Sequence, residues 1–527
     1  MMQQTSYSDP SIIESAFLSR MGDKRNVNLY NELLAAADKG RTTTIIEDPL
    51  GKVTYKKLLL SIQVVSAVLG EHLDGQPKVG VLLPNVIGNV VTLFSLFKLG
   101  VTPCMLNFSM GAESIADCCA TAEVKKVITS KAFIEKGGLD SIVKHLSSTV
   151  QFIYLEDIQK QVNFGHKLNG FVRYALKRRT AHQTNEIILF TSGTESKPKG
   201  VVLTHDNLYA NVNQMLSVVH FMPSDLIFNA LPMFHCFGLL LVLLGAINDL
   251  PVYLYPNPLH YREIPSSIRK TKATIICGTS TFFEGYGVNA DDGDLTSLRL
   301  VIAGAEKLKE EVARLWQERF GIHIFEGYGV TETSPVISTN TPDVRKPGTV
   351  GRLAPGLEYR INKVEGIAHG GTLVVKGPNV MKGYLIHGKG FVPCDDWHDC
   401  GDVVTVDDEG FITIQSRLKR FAKIAGEMVA LGHVEKLASE CFEHAGFYAV
   451  SVTDNKKGER IVLFSTRADT DLSSLKKYIK TQKISSLYIP TQVHYLSEVP
   501  ILGTGKTNYV RLTEQANLLE NVAPVLG

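Results

Sequence analysis

The chain has 527 residues, enough for two or more domains and at least one large hydrophobic core. Its 55 Lys and Arg residues against 53 Asp and Glu leave a formal net charge of +2, which argues against a dedicated nucleic-acid-binding protein. The 8 cysteines include no C-x-x-C pair, and Cys394, His398 and Cys400 match no zinc spacing, so we expect reduced thiols in a cytoplasmic protein.

Two stretches bear on targeting and membrane insertion. Residues 1–20 are polar and carry Asp9 and Glu14, without the apolar region of a signal peptide. The most apolar run, residues 237–247, is well short of the ~20 residues that a transmembrane helix needs. We therefore expect no signal peptide, and we expect this run to be a buried helix or strand segment.

Helical and strand patterns alternate over residues 25–185. The helical patterns cover residues 58–69 and 90–99, and the second is closed by Gly100. The strand patterns cover residues 78–83, 124–129 and 152–155. This alternation predicts an α/β fold with a largely parallel sheet covered by helices.

Residues 168–180 combine an apolar and a basic helical face. The apolar residues are Leu168, Phe171, Val172, Ala175 and Leu176, and the basic ones are Arg173, Lys177, Arg178 and Arg179. The simpler interpretation is a helix that docks on its own domain. The alternative is peripheral contact with an anionic membrane surface.

Residues 189–200 read L-F-T-S-G-T-E-S-K-P-K-G and lie between two strand-like runs. Glycines allow backbone N–H groups to approach an anion, hydroxyls add donors, and lysines add positive charge. The residues are Thr191, Ser192, Gly193, Thr194, Lys197, Lys199 and Gly200. The loop predicts a cradle for phosphates, with a basic surface hairpin as the alternative. It is not a Walker A loop, because no Gly-Lys-Ser/Thr opens a helix here.

The pattern changes after residue 350. Residues 350–414 contain short strands and Gly/Pro turns, which predicts a small β subdomain. At residues 417–420 the charge rises sharply, as is typical of an exposed linker. We therefore predict an N-terminal domain at residues 1–416, a hinge at 417–420 and a mobile C-terminal domain at 421–527.

The loop and five later stretches, taken in order, resemble the adenylate-forming (AMP-binding) superfamily. The stretches are LPMFHCFG at 231–238, AGAEKL at 303–308, GYGVTETSP at 327–335, WHDCGD at 397–402 and PILGTGK at 500–506. The resemblance implies a large N-terminal domain of helix-covered, largely parallel sheets with a small β subdomain. It also implies a small, mobile α+β C-terminal domain.

The resemblance further implies ATP and Mg²⁺ as cofactors. Tyr328 would stack on adenine, Thr331 would contact the α-phosphate, Glu332 would hold Mg²⁺, Asp402 would bind the ribose and Lys506 would be the catalytic lysine. Further nucleotide contacts would come from Gly304, Ala305, Glu306, Gly329, Ile414 and Arg417. The acyl and thiol side would be lined by His235, Val330 and Gly426, and the hinge residue would be Lys419.

Five segments are most similar to the acyl-carrier-protein synthetase half of bacterial bifunctional 2-acylglycerophosphoethanolamine acyltransferases. They are residues 258–262, 278–282, 303–308, 346–352 and 419–429. The similarity implies activation of a long-chain fatty acid as acyl-adenylate, transfer to the phosphopantetheine thiol of acyl carrier protein, and phospholipid acyl recycling. Coenzyme A is the alternative acceptor, and a non-catalytic nucleotide- or lipid-binding protein is the remote alternative.

Three further expectations follow from this similarity. An acidic carrier protein would need a basic docking face, for which the cations near the hinge are candidates: Arg417, Lys419, Arg420 and Lys423. His220 and Asp225 have the H-x₄-D spacing of an acyltransferase, but they lie inside the synthetase body, so we expect no such site. The protein would be cytoplasmic, or peripheral on the inner face of the membrane.

Overall fold

A computed structural model describes most of the chain and divides it into two compact units. The described residues are 9–22, 24, 26–40, 44–177, 179–180, 185–191, 197–367, 369–424, 427–444, 446–454, 458–482, 484–501 and 507–522. The first unit comprises Met1–Glu358 and Lys376–His398, and the second comprises Tyr359–Val375 and Asp399–Gly527.

Helices occur throughout both units. Those within the described residues are α1 Pro10–Met21, α2 Leu29–Lys39, α3 Tyr55–Leu73, α4 Ile87–Leu99, α5 Ala112–Ala122, α6 Lys131–Gly137, α7 Asp140–Leu146, α8 Leu155–Gln161, α9 Phe164–Ala175, α10 His205–Val218, α11 Cys236–Ala246, α12 Glu263–Thr271, α13 Ser280–Asn289, α14 Glu310–Phe320, α15 Leu431–Phe442, α16 Leu472–Thr481 and α17 Tyr509–Val522. Short 3₁₀ turns cover Thr331–Thr333, Leu418–Arg420 and Ser486–Tyr488.

The strands belong to four sheets. They are β1 Ile46–Asp48, β2 Gly51–Val53, β3 Lys78–Val81, β4 Thr102–Met105, β5 Lys126–Thr129, β6 Gln151–Tyr154, β7 Glu186–Thr191, β8 Lys199–Thr204, β9 Ile227–Asn229, β10 Val252–Leu254, β11 Ile275–Gly278, β12 Leu300–Ala303, β13 Ile324–Gly329, β14 Val336–Thr339, β15 Arg352–Leu353, β16 Glu358–Asn362, β17 Gly371–Lys376, β18 Gly383–Ile386, β19 Gly390–Pro393, β20 His398–Val406, β21 Ile412–Arg417, β22 Phe421–Ile424, β23 Glu427–Ala430, β24 Phe447–Asp454, β25 Gly458–Ser465 and β26 Gln492–Tyr495.

Two large sheets form the first unit. The eight-stranded sheet has the order β19-β18-β8-β7-β4-β3-β5-β6, and the nine-stranded sheet has the order β15-β14-β13-β12-β11-β9-β10-β1-β2. The pairings of β3 with β4 and β5, and of β9 with β10 and β11, are parallel. Because helices connect most of these strands and cover the sheets, the predicted helix-covered, largely parallel architecture is confirmed.

Local sequence signals set several helix boundaries in this unit. The hydroxyl of Thr54 accepts a hydrogen bond from the Lys57 amide and caps the start of α3. Gly100 ends α4 at φ 69°, a left-handed conformation that glycine adopts without a Cβ clash. Both helices bury apolar residues in a hydrophobic core that includes the fully buried Phe94 and Trp316.

The second unit contains the other two sheets. Strands β16, β17, β20 and β21 form a four-stranded sheet, while β22 to β25 form a second sheet to which β26 adds in parallel. Helix α15 buries Leu431, Val434 and Leu437 in a core of this unit.

The strands predicted over residues 350–414 do form, and they belong to different sheets. Strands β18 and β19 extend the eight-stranded sheet of the first unit, because β18 pairs antiparallel with β8. Strands β16, β17, β20 and β21 instead form the four-stranded sheet of the second unit. The hinge predicted at residues 417–420 stays a prediction.

Candidate active site

The predicted phosphate loop joins two antiparallel strands. Strands β7 and β8 pair in a register that places Thr191 opposite Lys199. Ser192, Gly193 and Thr194 lie outside the described residues. A Cβ on Gly200 would lie 3.0 Å from Ile188 Cγ2 and 3.2 Å from Leu385 Cβ, so glycine lets β8 fit between its neighbouring strands.

The two lysines of this loop have different surroundings. Lys197 Nζ lies 3.0 Å from Asp117 Oδ1 on α5 and 3.1 Å from His387 Nε2. Lys199 Nζ instead lies 5.6 Å from the ring centre of Tyr384, within the range of a cation–π contact. Lys197 is therefore engaged with its own domain, and Lys199 is the better candidate for a phosphate contact.

Glu332 is connected to Lys199 through Tyr384. The Tyr384 hydroxyl donates a 2.8 Å hydrogen bond to Glu332 Oε1, and the Glu332 carbonyl accepts from the Met381 amide at 2.8 Å. Burial raises the pKa of the Cys236 thiol, and the nearby Glu332 carboxylate raises it further. These contacts hold Glu332 at a fixed point in the 3₁₀ turn Thr331–Thr333.

The donor set at Glu332 fits Mg²⁺. A carboxylate accepts at both oxygens, so the hydrogen bond from Tyr384 to Oε1 is compatible with a hard cation at Oε2. Lys199 adds a positive charge next to Tyr384, as an anionic phosphate requires. Sequence reasoning missed Tyr384, because an isolated tyrosine in a strand carries no signal of this contact.

Three of the predicted stretches meet at Gly304. A Cβ on this residue would lie 3.1 Å from Phe237 Cε1 and 3.5 Å from the Gly327 carbonyl oxygen. Strand β12 runs parallel to β13, which brings residues 303–308 next to residues 327–329. The substrate-side motif, the predicted adenine segment and the stretch of Glu332 are thus neighbours in space.

The residues after Gly304 form a turn. Ala305 has φ 70°, and the Glu306 side chain accepts a 2.5 Å hydrogen bond from the Thr281 amide at the start of α13. Glu306 therefore stabilises a helix N-terminus in addition to any nucleotide contact. Glu326 accepts from the Leu308 amide at 3.4 Å, and burial raises the pKa of its carboxyl.

The residues from Tyr328 to Thr331 are held by tight backbone packing. Tyr328 is 8% exposed, so its ring is largely buried. A Cβ on Gly329 would lie 2.0 Å from the Pro335 carbonyl oxygen, which makes glycine necessary there. Val330 donates to the same oxygen at 3.0 Å, and Thr331 begins the 3₁₀ turn half-buried.

His235 lies immediately before α11, the helix formed by the most apolar run of the chain. Its amide donates to the Pro232 carbonyl at 3.0 Å, and its ring lies 4.6 Å from the ring of Phe234. Helix α11 is buried around its circumference, as predicted for residues 237–247. Across the part of the chain that the structure describes, no helix has both the length and the apolarity to span a membrane.

The second unit contains a separate group of predicted site residues. Asp402 is 2% exposed, and its Oδ1 lies 3.0 Å from Arg417 Nε on the neighbouring strand. Asp402 and Arg417 are direct partners of the β20–β21 pairing, and Ile414 pairs with Val404. The Asp402 carboxylate is thus oriented by Arg417 and can accept hydrogen bonds from ribose hydroxyls.

Three predicted residues of the second unit lie wholly or partly outside the described residues. Gly426 and Lys506 lie outside the described residues. Lys419 lies in the 3₁₀ turn Leu418–Arg420, but its side chain is outside the described part. The roles assigned to these residues stay predictions.

The H-x₄-D pair in the first unit is structural. Asp225 is 1% exposed, and it accepts hydrogen bonds from Arg299 Nε, the Thr274 hydroxyl and the Met222 amide. Burial alone would raise the pKa of Asp225, but these hydrogen bonds outweigh burial and lower it. The His220 carbonyl accepts from the same arginine, so the pair anchors a loop rather than forming an acyltransferase site.

Comparison with known proteins gives sequence relatives over most of the chain. A long-chain-fatty-acid–CoA ligase of Escherichia coli O157:H7 is 27% identical over 525 residues, covering 89% of this chain and 91% of that protein. A 4-coumarate-CoA ligase of Narcissus pseudonarcissus is 27% identical over 484 residues, covering 86% of this chain and 87% of that protein.

Solved structures share the fold. An anthranilate CoA ligase in complex with anthranoyl-AMP has a TM-score of 0.78 at 19% identity and covers 94% of this chain and 98% of its own. An o-succinylbenzoate coenzyme A synthetase from Bacillus subtilis, in complex with ATP and magnesium ion, has a TM-score of 0.76 at 22% identity. The match covers 92% of this chain and 99% of that protein.

The family of AMP-binding enzymes matches residues 34–385, more than half of the chain. The match spans the phosphate loop, Gly304, Glu332 and Tyr384, which are the parts of the site in the first unit. Enzymes of this family use ATP with Mg²⁺, so the predicted cofactors are confirmed. The chain belongs to the AMP-binding enzyme family.

Proposed function

We propose that this protein is an acid–thiol ligase that activates a long-chain fatty acid with ATP and transfers the acyl group to coenzyme A. One observation carries the proposal. Lys199, Tyr384 and Glu332 form a connected group, in a chain that aligns over 89% of its length with a long-chain-fatty-acid–CoA ligase. A site for phosphates and a hard cation is what the first half of this reaction needs.

In the first half-reaction, a carboxylate oxygen of the fatty acid attacks the α-phosphorus of ATP and pyrophosphate leaves. Mg²⁺, held by Glu332, would neutralise phosphate charge. Lys199 would contact phosphate oxygens, and Tyr384 would keep the Glu332 carboxylate oriented. The product is acyl-adenylate, whose leaving group, AMP, is far better than a carboxylate oxygen.

In the second half-reaction, a phosphopantetheine thiol attacks the acyl carbonyl and AMP leaves. Asp402 would hold the ribose hydroxyls, with Arg417 orienting this carboxylate. Lys506 would bind the fatty acid carboxylate and the α-phosphate in the first half only, and rotation about Lys419 would exchange the two halves.

The acceptor separates this proposal from a second candidate. The sequence relatives are coenzyme A ligases, which favours coenzyme A over acyl carrier protein. The similarity of five segments to an acyl-carrier-protein synthetase is the specific observation that supports the carrier protein and, with it, phospholipid acyl recycling.

The surroundings of the hinge cations weaken that second candidate. Arg420 donates to Glu435 Oε1 at 2.7 Å and to the Ala449 carbonyl at 2.7 Å, and its side chain is only 18% exposed. Arg417 is paired with Asp402. Two of the four cations considered for a carrier-protein docking face are therefore already engaged within the second unit.

The test is thioester formation by the purified full chain from palmitate, ATP and Mg²⁺, with coenzyme A or holo-acyl carrier protein offered separately. Palmitate-dependent ATP–pyrophosphate exchange measures the first half alone. We expect Glu332→Gln to lower the exchange rate by about 10²-fold, because a preorganised charge is lost. Glu318→Gln, on the exposed face of α14, is the matched control and should leave the rate unchanged.

Each acceptor result has one meaning. Product on coenzyme A supports the proposal, and product on the carrier protein alone replaces it with the second candidate. Absence of any fatty-acid-dependent exchange would reject both in favour of the remote alternative, a non-catalytic nucleotide- or lipid-binding protein.

A further inference from the structure

Helix α9 turns its large apolar side chains towards solvent. Phe164 is 79% exposed, and the others on the same face are between 45% and 61% exposed. These other residues are Leu168, Phe171, Val172 and, just past the end of the helix, Leu176. At 100° per residue, the five side chains fall on one side of the helix.

The opposite side of α9 packs on α3. Gly170 is buried, and a Cβ there would lie 2.9 Å from Val64 Cγ2. On the same side, His166 Nε2 lies 3.3 Å from Glu71 Oε1, and Tyr174 packs against the large core. The helix therefore docks on its domain as the simpler interpretation predicted, but not through its apolar face.

The segment that contains α9 is strongly basic. Residues 158–185 contain no Asp or Glu and have six cations, which are Lys160, Lys167, Arg173, Lys177, Arg178 and Arg179. By helical position, Lys167 and Arg173 border the apolar face on either side, and both are exposed. Among the described residues of this segment, Lys177 is paired with Asp38, and His166 lies beside Glu71 on the packed side.

We propose that α9 is a membrane-contact helix that binds the surface of an anionic lipid bilayer. The exposed apolar side chains would insert at the boundary between headgroups and acyl chains, and the bordering cations would lie among anionic headgroups. Two observations favour a lipid bilayer as the partner of this helix face. The apolar side chains are exposed together on one face of the helix, and the 28 residues of the segment 158–185 include cations but no Asp or Glu.

This contact is independent of the proposed chemistry, because lipid binding by α9 needs neither ATP nor thiol. It would also serve that chemistry. Long-chain fatty acids partition into bilayers, so an enzyme held at the surface meets its substrate there.

The test is flotation of the full-length protein with two kinds of vesicle, phosphatidylglycerol mixed with phosphatidylethanolamine, and phosphatidylcholine alone. We expect binding to the anionic vesicles only, weakening as salt concentration rises. The variant Phe164→Ser/Phe171→Ser should lose roughly tenfold in affinity for each phenylalanine. The variant Lys167→Gln/Arg173→Gln should lose about fivefold for each charge.

Matched controls change exposed residues elsewhere. Leu50→Ser removes an apolar side chain that is 86% exposed, and Lys476→Gln/Lys477→Gln removes two exposed cations of α16. Neither should alter vesicle binding. Since all substituted side chains are exposed, thermal unfolding of every variant should match that of the parent protein.

Three results would overturn the proposal. The first is equal binding of the parent protein to both kinds of vesicle. The second is an equal loss of vesicle binding in the α9 and control variants. The third is a parent protein that binds neither kind of vesicle. Analytical ultracentrifugation identifies the competing occupant in the last case, because a dimer that dissociates in Phe164→Ser/Phe171→Ser would assign the face to a second copy of the chain. Palmitate-dependent exchange, measured on the same samples, reports separately on the proposed function.

Discussion

The hydroxyl of Tyr384 donates a 2.8 Å hydrogen bond to the carboxylate of Glu332, although the two residues are 52 positions apart. Tyr384 lies on β18, which pairs with β8 and so places the same ring 5.6 Å from the ammonium group of Lys199. One tyrosine thus orients the proposed cation ligand and contacts the proposed phosphate lysine. This relationship leads to the first two predictions.

Tyr384→Phe should lower the rate of ATP–pyrophosphate exchange by about ten- to a hundredfold, because a hydrogen bond to a charged group contributes roughly 1.5–3 kcal/mol. A higher Mg²⁺ concentration should restore part of the loss if Glu332 is the cation ligand. Tyr154→Phe, on the opposite edge strand of the same sheet, is the control. An unchanged rate in Tyr384→Phe would show that this hydrogen bond does not matter for the reaction.

The two lysines of the loop should respond differently to neutralisation. Lys199→Gln should raise the KM for ATP by about tenfold or more, because a charge beside the phosphates is lost. Lys197→Gln should change this KM by less than about threefold and should mainly loosen the contact with Asp117. Steady-state kinetics with ATP as the varied substrate measures both, and the reverse order of effects would contradict the assignment.

A cluster around Glu435 should stabilise the second unit. Glu435 Oε1 accepts from Arg420, from the Ala449 amide at 2.8 Å and from the Tyr509 hydroxyl at 3.1 Å. The Arg420 guanidinium also lies 3.6 Å from the ring centre of Tyr509. Glu435→Gln weakens a partly buried charge pair, so we expect a loss of about 1–3 kcal/mol in the local opening free energy.

Hydrogen exchange at the amides of β24 measures this loss, since Ala449 is one of them. The control is Glu440→Gln, which weakens an exposed pair with Lys436 at 3.6 Å and leaves an amide oxygen to accept from the Tyr478 hydroxyl, so it should cost less than about 0.5 kcal/mol. Equal protection of β24 in both variants would show that the cluster adds little.

His205 should make the first unit sensitive to acid. Its imidazole is buried, which lowers its pKa to about 3, and Nδ1 accepts from the Leu29 amide. Because the unfolded chain takes up this proton near pH 6.5 and the folded protein does not, stability falls as the pH drops below that value. The slope should be about 1.4 kcal/mol per pH unit.

Urea unfolding at pH values from about 7 to about 5 tests this dependence. It can be monitored by tryptophan fluorescence, because Trp316 and Trp397 both lie in the first unit. His205→Gln should be less stable at pH 7 but should lose this part of the pH slope. His145→Gln, at an exposed position, should keep the slope of the parent protein. The prediction would be contradicted if the free energy of unfolding changed with pH in the same way for the parent protein and both variants.

The sequence alone was sufficient for the α/β fold, the family and the cofactors. The phosphate loop, residues 303–308 and residues 327–335 are each a short continuous stretch of sequence. Their chemistry can therefore be inferred from the residue types and their spacing within each stretch. Local signals also predicted α4 with its closing Gly100 and the burial of residues 237–247, which the structure shows to be the helix α11. The interpretation of His220 and Asp225 as no acyltransferase site likewise agrees with the anchoring of Asp225 by Arg299.

Only the tertiary structure decided which residues meet across long separations. Strand pairing depends on hydrogen bonds between distant segments, and local pattern does not specify it. Sequence reasoning therefore could not divide residues 350–414 among the sheets. It also could not show the ion pair of Lys197 with Asp117 or the hydrogen bond from Tyr384 to Glu332. The sequence did not determine the orientation of α9 for a related reason. A helical pattern defines an apolar face, but the packing of Gly170 against α3 determines whether that face is buried or exposed.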